Sequence, residues 1–228
     1  MRCPREADGR PRPLPWAGSR RRVWLVLLVS SLVFAALAAA VLAGTAIPGD
    51  RAIYRLLTRE RDAYLIGGLA EVLASRAIEA AAAVVLALTS LLLLVKGRVR
   101  PAALLVASLV PALMTPVLKG ALDRPPPEAH ASTVDWSFPS GHAAGSMALV
   151  AVAIVLTWPT GSGRWRVFVG AVGVAAVGLA AVIAGGHWPS DVIAGWALAL
   201  AWVSALCLLV PTDGERVYNA PLPAQGRW

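Results

Sequence analysis

The feature that most constrains this chain is a run without charge. From Val23 to Gly44, 22 consecutive residues contain no Asp, Glu, Lys or Arg, and nearly all are apolar. A helix crossing the hydrocarbon core of a bilayer needs about 20 such residues. Comparable stretches, each with one acid at most, follow at about 77–95, 101–118, 142–158, 167–186 and 191–210. The pattern predicts an all-α fold, a polytopic membrane bundle of six transmembrane helices.

Composition closes the alternatives. Hydrophobic residues make up 57% of the chain, charged residues only 15%, and the mean hydropathy is +0.66. These values exclude a disordered chain, a collagen-like chain and an ordinary soluble domain. Two other readings of the first run are a cleaved signal peptide, with small residues near Ala40 and Ala43, and a twin-arginine signal at Ser19-Arg20-Arg21-Arg22. Its length, and the spans that follow, favour an uncleaved helix. Cys3 lies in the basic tail and Cys207 in the last run, so no disulfide is expected.

The net charge is +8, carried by 19 Arg and two Lys, with seven of the Arg before residue 23. Because this excess flanks an apolar run, anionic lipid and orientation explain it better than nucleic acid. Residues 1–22 read as a basic cytoplasmic tail, 23–211 as the six-span membrane domain and 212–228 as a second cytoplasmic tail. With both termini inside, Lys96, Arg98, Arg100, Arg164 and Arg166 also fall inside, as the positive-inside rule asks. The segments 45–76, 119–141 and 187–190 then lie outside. The first of these is a mild exception, with five Arg against four acids. Within it Arg51, Arg55 and Arg59 recur every four residues around Ile53, Leu56 and Leu57, as in a short interfacial helix that Gly67-Gly68 would break. Trp24, Trp158 and Trp165 fall at inner ends and Trp136 and Trp188 at outer ones, where amphipathic rings settle.

Candidate chemistry gathers on the outer face, which receives all three His of the chain: His130, His142 and His187. Lys119 and Arg124 close the third run; alone they read as snorkelling cations. In Pro139-Ser140-Gly141-His142, Gly permits close backbone approach, and Ser140 with the amides opening the next helix can donate to an anion. In His187-Trp188-Pro189-Ser190-Asp191, the His and Asp share a helix face. A carboxylate bonded to one ring nitrogen would fix the tautomer and leave the other as nucleophile or base. A structural His–Asp cap is the bland alternative. Gly195 continues that face and would allow close helix packing. Two His and an Asp could also hold a metal, but neighbouring cations suit phosphate better. No metal and no cofactor are expected.

The order Lys…Arg-Pro, Pro-Ser-Gly-His and His-x3-Asp resembles the type 2 phosphatidic acid phosphatase family of membrane lipid phosphatases, over about residues 50–210. The resemblance implies that His187 attacks phosphorus and forms a phosphohistidine. Asp191 would orient and activate it, and His142 would protonate the leaving oxygen. Lys119, Arg124, Ser140 and the Gly141 amide would hold the phosphoryl oxygens. Two departures stand out. The family pattern Lys-x6-Arg-Pro puts its Arg on Pro126, two residues beyond Arg124. The Ser-Arg pair of the third motif falls on Ala180-Ala181, and the side chain at 181 would point toward the phosphate. The expected substrate is a lipid phosphate or diphosphate at the outer leaflet: polyprenyl diphosphate, phosphatidylglycerol phosphate or phosphatidic acid. The alternatives are a weakened relative that binds lipid headgroups or a partner, and a small transporter, which would want broken mid-span segments.

Overall fold

A computed structural model describes residues 20–59, 64–127, 136–157 and 163–209, and every regular element among them is a helix. In chain order these are α1 (Arg20–Leu42), α2 (Asp50–Thr58), α3 (Tyr64–Leu73), α4 (Arg76–Val95), α5 (Val99–Ala107), α6 (Val110–Leu122), α7 (Gly141–Thr157), α8 (Gly163–Ile183) and α9 (Pro189–Leu209). His130, Trp158, Cys3 and most of both tails lie outside the described residues. Arg20 to Arg22, assigned to the basic tail by sequence, already belong to α1.

Large apolar side chains point outward along most of these helices. Leu25, Leu28 and Leu32 on α1, Leu88 and Leu91 on α4, and Phe168 and Val172 on α8 are all more than half exposed. Exposed apolar surface on this scale is what acyl chains cover, and water would not tolerate it. Four stretches are long and apolar enough to cross a bilayer: Arg20–Leu42, Val99–Leu122, Arg164–Ile183 and Pro189–Leu209. Ala80–Val95 and Gly141–Thr157 are shorter apolar helices. The chain is a multi-pass membrane protein; of the six expected spans, four reach that length.

The interior is built from small residues. Ala143, Ala144, Ala148, Ala194 and Ala199 are fully buried, and α9 packs against both α1 and α7. Without a hydrophobic force between helices in lipid, close backbone approach supplies the contact energy. Gly195 shows how close: a Cβ there would stand 2.5 Å from the Ser140 carbonyl oxygen and 3.0 Å from the Ala143 Cβ. The expected close packing at Gly195 is present, against the start of α7.

Two expectations fail for local reasons. The third span, expected as one helix over 101–118, is interrupted at Ser108–Leu109 between α5 and α6. Pro111 has no N–H to donate to the carbonyl four residues back, which belongs to Ala107. Trp202 Nε1 of α9 donates to that carbonyl at 2.8 Å. The break is therefore sealed by protein, unlike the open, ion-lining breaks of transporters. Pro116 repeats the problem one turn later, and there the Thr115 hydroxyl donates to the Ala112 carbonyl at 2.7 Å. Gly67 and Gly68, expected to break a helix, lie inside α3. Each costs about 1 kcal/mol relative to Ala, which the surrounding turns absorb.

Candidate active site

Four chain segments converge at one end of the bundle: the start of α2, the end of α6, the start of α7 and the start of α9. The last is the organiser. Pro189 occupies the first helical position, where a missing N–H costs nothing. Two residues on, Asp191 Oδ2 accepts the Trp188 backbone N–H at 2.8 Å, the acidic half of a capping box. Asp191 is fully buried, and its place four residues after His187 brings Oδ2 to 3.7 Å from the imidazole Nδ1. That distance carries an electrostatic interaction but no hydrogen bond.

The hydrogen bond at Nδ1 goes elsewhere. Nδ1 lies 2.8 Å from the Ser137 carbonyl oxygen. A carbonyl can only accept, so Nδ1 carries the proton and a neutral ring keeps its lone pair on Nε2. The tautomer expected from Asp191 is thus set by the backbone of residue 137 in the segment leading into α7. His187 is 7% exposed, enough to be reached from the surface and too little to rotate freely.

Arg124 follows directly from how α6 ends. Asp123 takes a left-handed conformation (φ 50°), its N–H donates to the Lys119 carbonyl at 3.0 Å, and Pro125 prevents continuation. Arg124 then meets two carboxylates. Nη1 donates to Asp191 Oδ1 at 2.5 Å and to Ser190 Oγ at 2.7 Å, and Nη2 donates to Asp50 Oδ2 at 2.6 Å. The guanidinium carbon also lies 5.6 Å from the centre of the Trp188 ring. Arg124 was expected to face phosphate; in this structure these three bonds hold it to protein oxygens.

Asp50 is the residue that sequence reasoning missed. It opens α2 and is only 5% exposed. Its Oδ1 accepts the Ser190 N–H at 2.9 Å, and its Oδ2 accepts the Ser190 hydroxyl at 2.6 Å beside the Arg124 bond. It therefore caps α9 from another helix. The only signal was a lone acid, after a Gly, opening a strongly amphipathic and otherwise basic segment.

Ser140 is fully buried and caps α7: its Oγ accepts the Ala143 N–H at 3.4 Å, and its own N–H donates to the Asp191 carbonyl at 3.0 Å. These bonds tie the starts of α7 and α9 together, so Ser140 shapes the site from within. Gly141 opens α7 where a Cβ would lie 3.0 Å from the Thr115 hydroxyl. His142 is half-buried in the same turn, and Lys119 is half-buried in the last turn of α6. Direct bonds therefore join Arg124, Ser140 and Asp191, with His187 held beside them. Lys119, Gly141 and His142 belong to the helix ends that frame this group.

The missing arginine slots look different in space. Ala180 and Ala181 are 3% and 1% exposed, and Ala181 belongs to a core cluster with Ala143, Val182 and Val192, flanked by Tyr54, Leu57 and Trp196. The expectation that residue 181 points at an open phosphate site is overturned by this packing. Pro126 is half-buried beyond the Arg124 turn.

A shielded histidine whose Nε2 has no partner among the described residues, two buried carboxylates and cations at helix ends suit nucleophilic attack on a phosphoryl centre. A stretch of 80 residues, 35% of this chain, is 39% identical to an undecaprenyl-diphosphatase of Sulfolobus acidocaldarius and covers 36% of that relative. The fold matches the crystal structure of a transmembrane PAP2-type phosphatidylglycerolphosphate phosphatase of Bacillus subtilis. The TM-score is 0.63 at 20% identity, over 82% of this chain and 98% of that one. Residues 78–215 match the family model described as PAP2 superfamily, and the chain belongs to that superfamily.

Proposed function

We propose that this protein is a membrane-embedded phosphatase that hydrolyses a lipid phosphate or diphosphate at the outer leaflet through a phosphohistidine. The observation that carries the reading is the Nδ1 contact to the Ser137 carbonyl, which leaves His187 Nε2 as the nucleophile. Nε2 attacks phosphorus as the bond to the leaving oxygen breaks, and His142 supplies that oxygen with its proton. Water then attacks the phosphohistidine, His142 takes a proton from it, and the P–N bond breaks to release inorganic phosphate. Asp191, 3.7 Å from Nδ1, favours the positive ring that develops during attack. Lys119 and Arg124 neutralise charge on the phosphoryl oxygens, the role a divalent metal fills elsewhere. Treatment with a chelator should leave activity unchanged.

The relatives act, by name, on undecaprenyl diphosphate and phosphatidylglycerol phosphate, so both belong in the first panel, beside phosphatidic acid. Purified protein should release phosphate from at least one of them, and His187→Ala should release none. Asp191→Asn should lower turnover at least tenfold. Placement on the outer leaflet follows from the Arg distribution. A Ser132→Cys variant should react with an impermeant thiol reagent in intact cells.

A second reading has its own observation. Arg124 is bracketed by Asp50 and Asp191, and Ala181 is packed in the core. A site with so thin a clamp would bind headgroups better than it turns them over. Failure of every lipid phosphate in the panel, with a folded protein, selects that reading.

A further inference from the structure

Asp50 lies outside residues 78–215, the part of the chain that matches the superfamily, yet it is bonded into the centre of the site. Every oxygen of its carboxylate is used: one on the Ser190 N–H, the other on the Ser190 hydroxyl and on Arg124 Nη2. A buried acid in this setting is stabilised by its cation and its donors, and the cation is equally dependent on the acid. Arg124 is the shared member. Both Nη1 hydrogens are spent, on Asp191 and Ser190, and one Nη2 hydrogen is spent on Asp50. The Nε hydrogen and the second Nη2 hydrogen have no partner among the described residues, and both are donors suited to an anion.

We infer that Asp50 is a positioning residue of the phosphatase site: it grips one edge of the Arg124 guanidinium and so presents the remaining N–H groups to the phosphoryl oxygens. The inference rests on the phosphatase reading and deepens it. Arg124 sits two residues before the family's usual slot, and the slot at 181 holds a buried Ala. A single early arginine on a turn would otherwise choose among many rotamers. A second carboxylate, delivered by α2, holds Nη2 while Asp191 holds Nη1, and so narrows that choice. The same carboxylate caps α9, so the position of His187 and the aim of Arg124 are set by one group. Packing of Tyr54 against Trp188, with ring centres 5.6 Å apart, holds α2 in place one turn further on.

The test uses the full-length protein in lipid nanodiscs, with Asp50→Asn, Arg124→Gln and the double variant. Asn keeps an oxygen for the Ser190 N–H, so the fold should survive; thermal unfolding checks this. Turnover of the best lipid phosphate should fall about tenfold in Asp50→Asn with KM changed less than twofold, because the Arg124 contact strengthens as charge builds on the oxygens. In the Arg124→Gln background the further effect of Asp50→Asn should vanish. Additive losses, or wild-type turnover in Asp50→Asn, would overturn the inference and leave the phosphatase intact. Orthovanadate, a mimic of the phosphoryl transition state, separates the other case. If wild type releases no phosphate but is stabilised by vanadate, and Asp50→Asn is stabilised less, the phosphatase reading falls and the positioning role stands for anion binding. If vanadate stabilises neither, and nothing turns over, both fall.

Discussion

Helices α4 and α9 have nearly the same length, 20 and 21 residues, and both are rich in Ala and Leu. Their surroundings differ sharply. Along α9, Ser190, Asp191, Val192, Ala194, Gly195, Ala197, Ala199, Val203 and Ser204 are buried, whereas among the described side chains of α4 only Leu86 and Ser90 are. Small residues alone do not explain this, because Ala80 to Ala83 on α4 are exposed. What distinguishes α9 is a polar start bonded to three other segments. Asp50, Arg124 and Ser140 fix its N-terminus, and Gly195 then lets the first turns lie against α7. In lipid, close packing of small residues and polar bonds between helices hold side chains in the interior, and α9 has both.

The comparison can be broken or sharpened by substitution, beginning where the effect should be largest. Ala181→Arg forces a guanidinium into the Ala143–Val182–Val192 cluster with no partner there. It should abolish turnover and destabilise by about 3–5 kcal/mol; a gain in activity would show that the segment can swing into the site. Gly195→Ala should cost about 1–3 kcal/mol, since its Cβ would meet the Ser140 carbonyl backbone at 2.5 Å. Turnover should fall with it, as the starts of α7 and α9 separate. Thr115→Val leaves the Ala112 carbonyl without its donor and should cost about 1–2 kcal/mol. On α4, Leu88→Ala should change stability by less than about 0.5 kcal/mol, because that side chain is 61% exposed to lipid. A large loss there would mean that the Leu88 face of α4 is covered by protein. Unfolding of the purified variants in matched nanodiscs measures all four.

The four long spans were legible because they depend on a near absence of charge over about 20 residues, a property that sequence records directly. The roles of the helix starts were less legible: Ser140 read as a donor to an anion and Asp191 as the partner of His187, whereas their side chains cap α7 and α9. The interruption at Ser108–Leu109 was available in Pro111 but hidden by the apolar run around it. What sequence could not supply was partnership across distance. Asp50 and Arg124 are 74 positions apart, and nothing local to either announces the other. Likewise the partner of the His187 ring, the Ser137 carbonyl, is a backbone atom that any residue would provide. The pair at i and i+4 gave the right neighbourhood and the wrong hydrogen bond.

The claim at the centre of this reading is that His187 forms a covalent bond to phosphorus, and trapping the phosphoenzyme tests it most directly. Wild-type protein should be mixed with a lipid phosphate carrying labelled phosphorus, quenched in alkali within one turnover, and digested for mass spectrometry. A label that is acid-labile, base-stable and located on His187, and absent from His187→Gln, is the predicted result. Turnover in His187→Gln at the wild-type rate, or a label on any other residue, would contradict it.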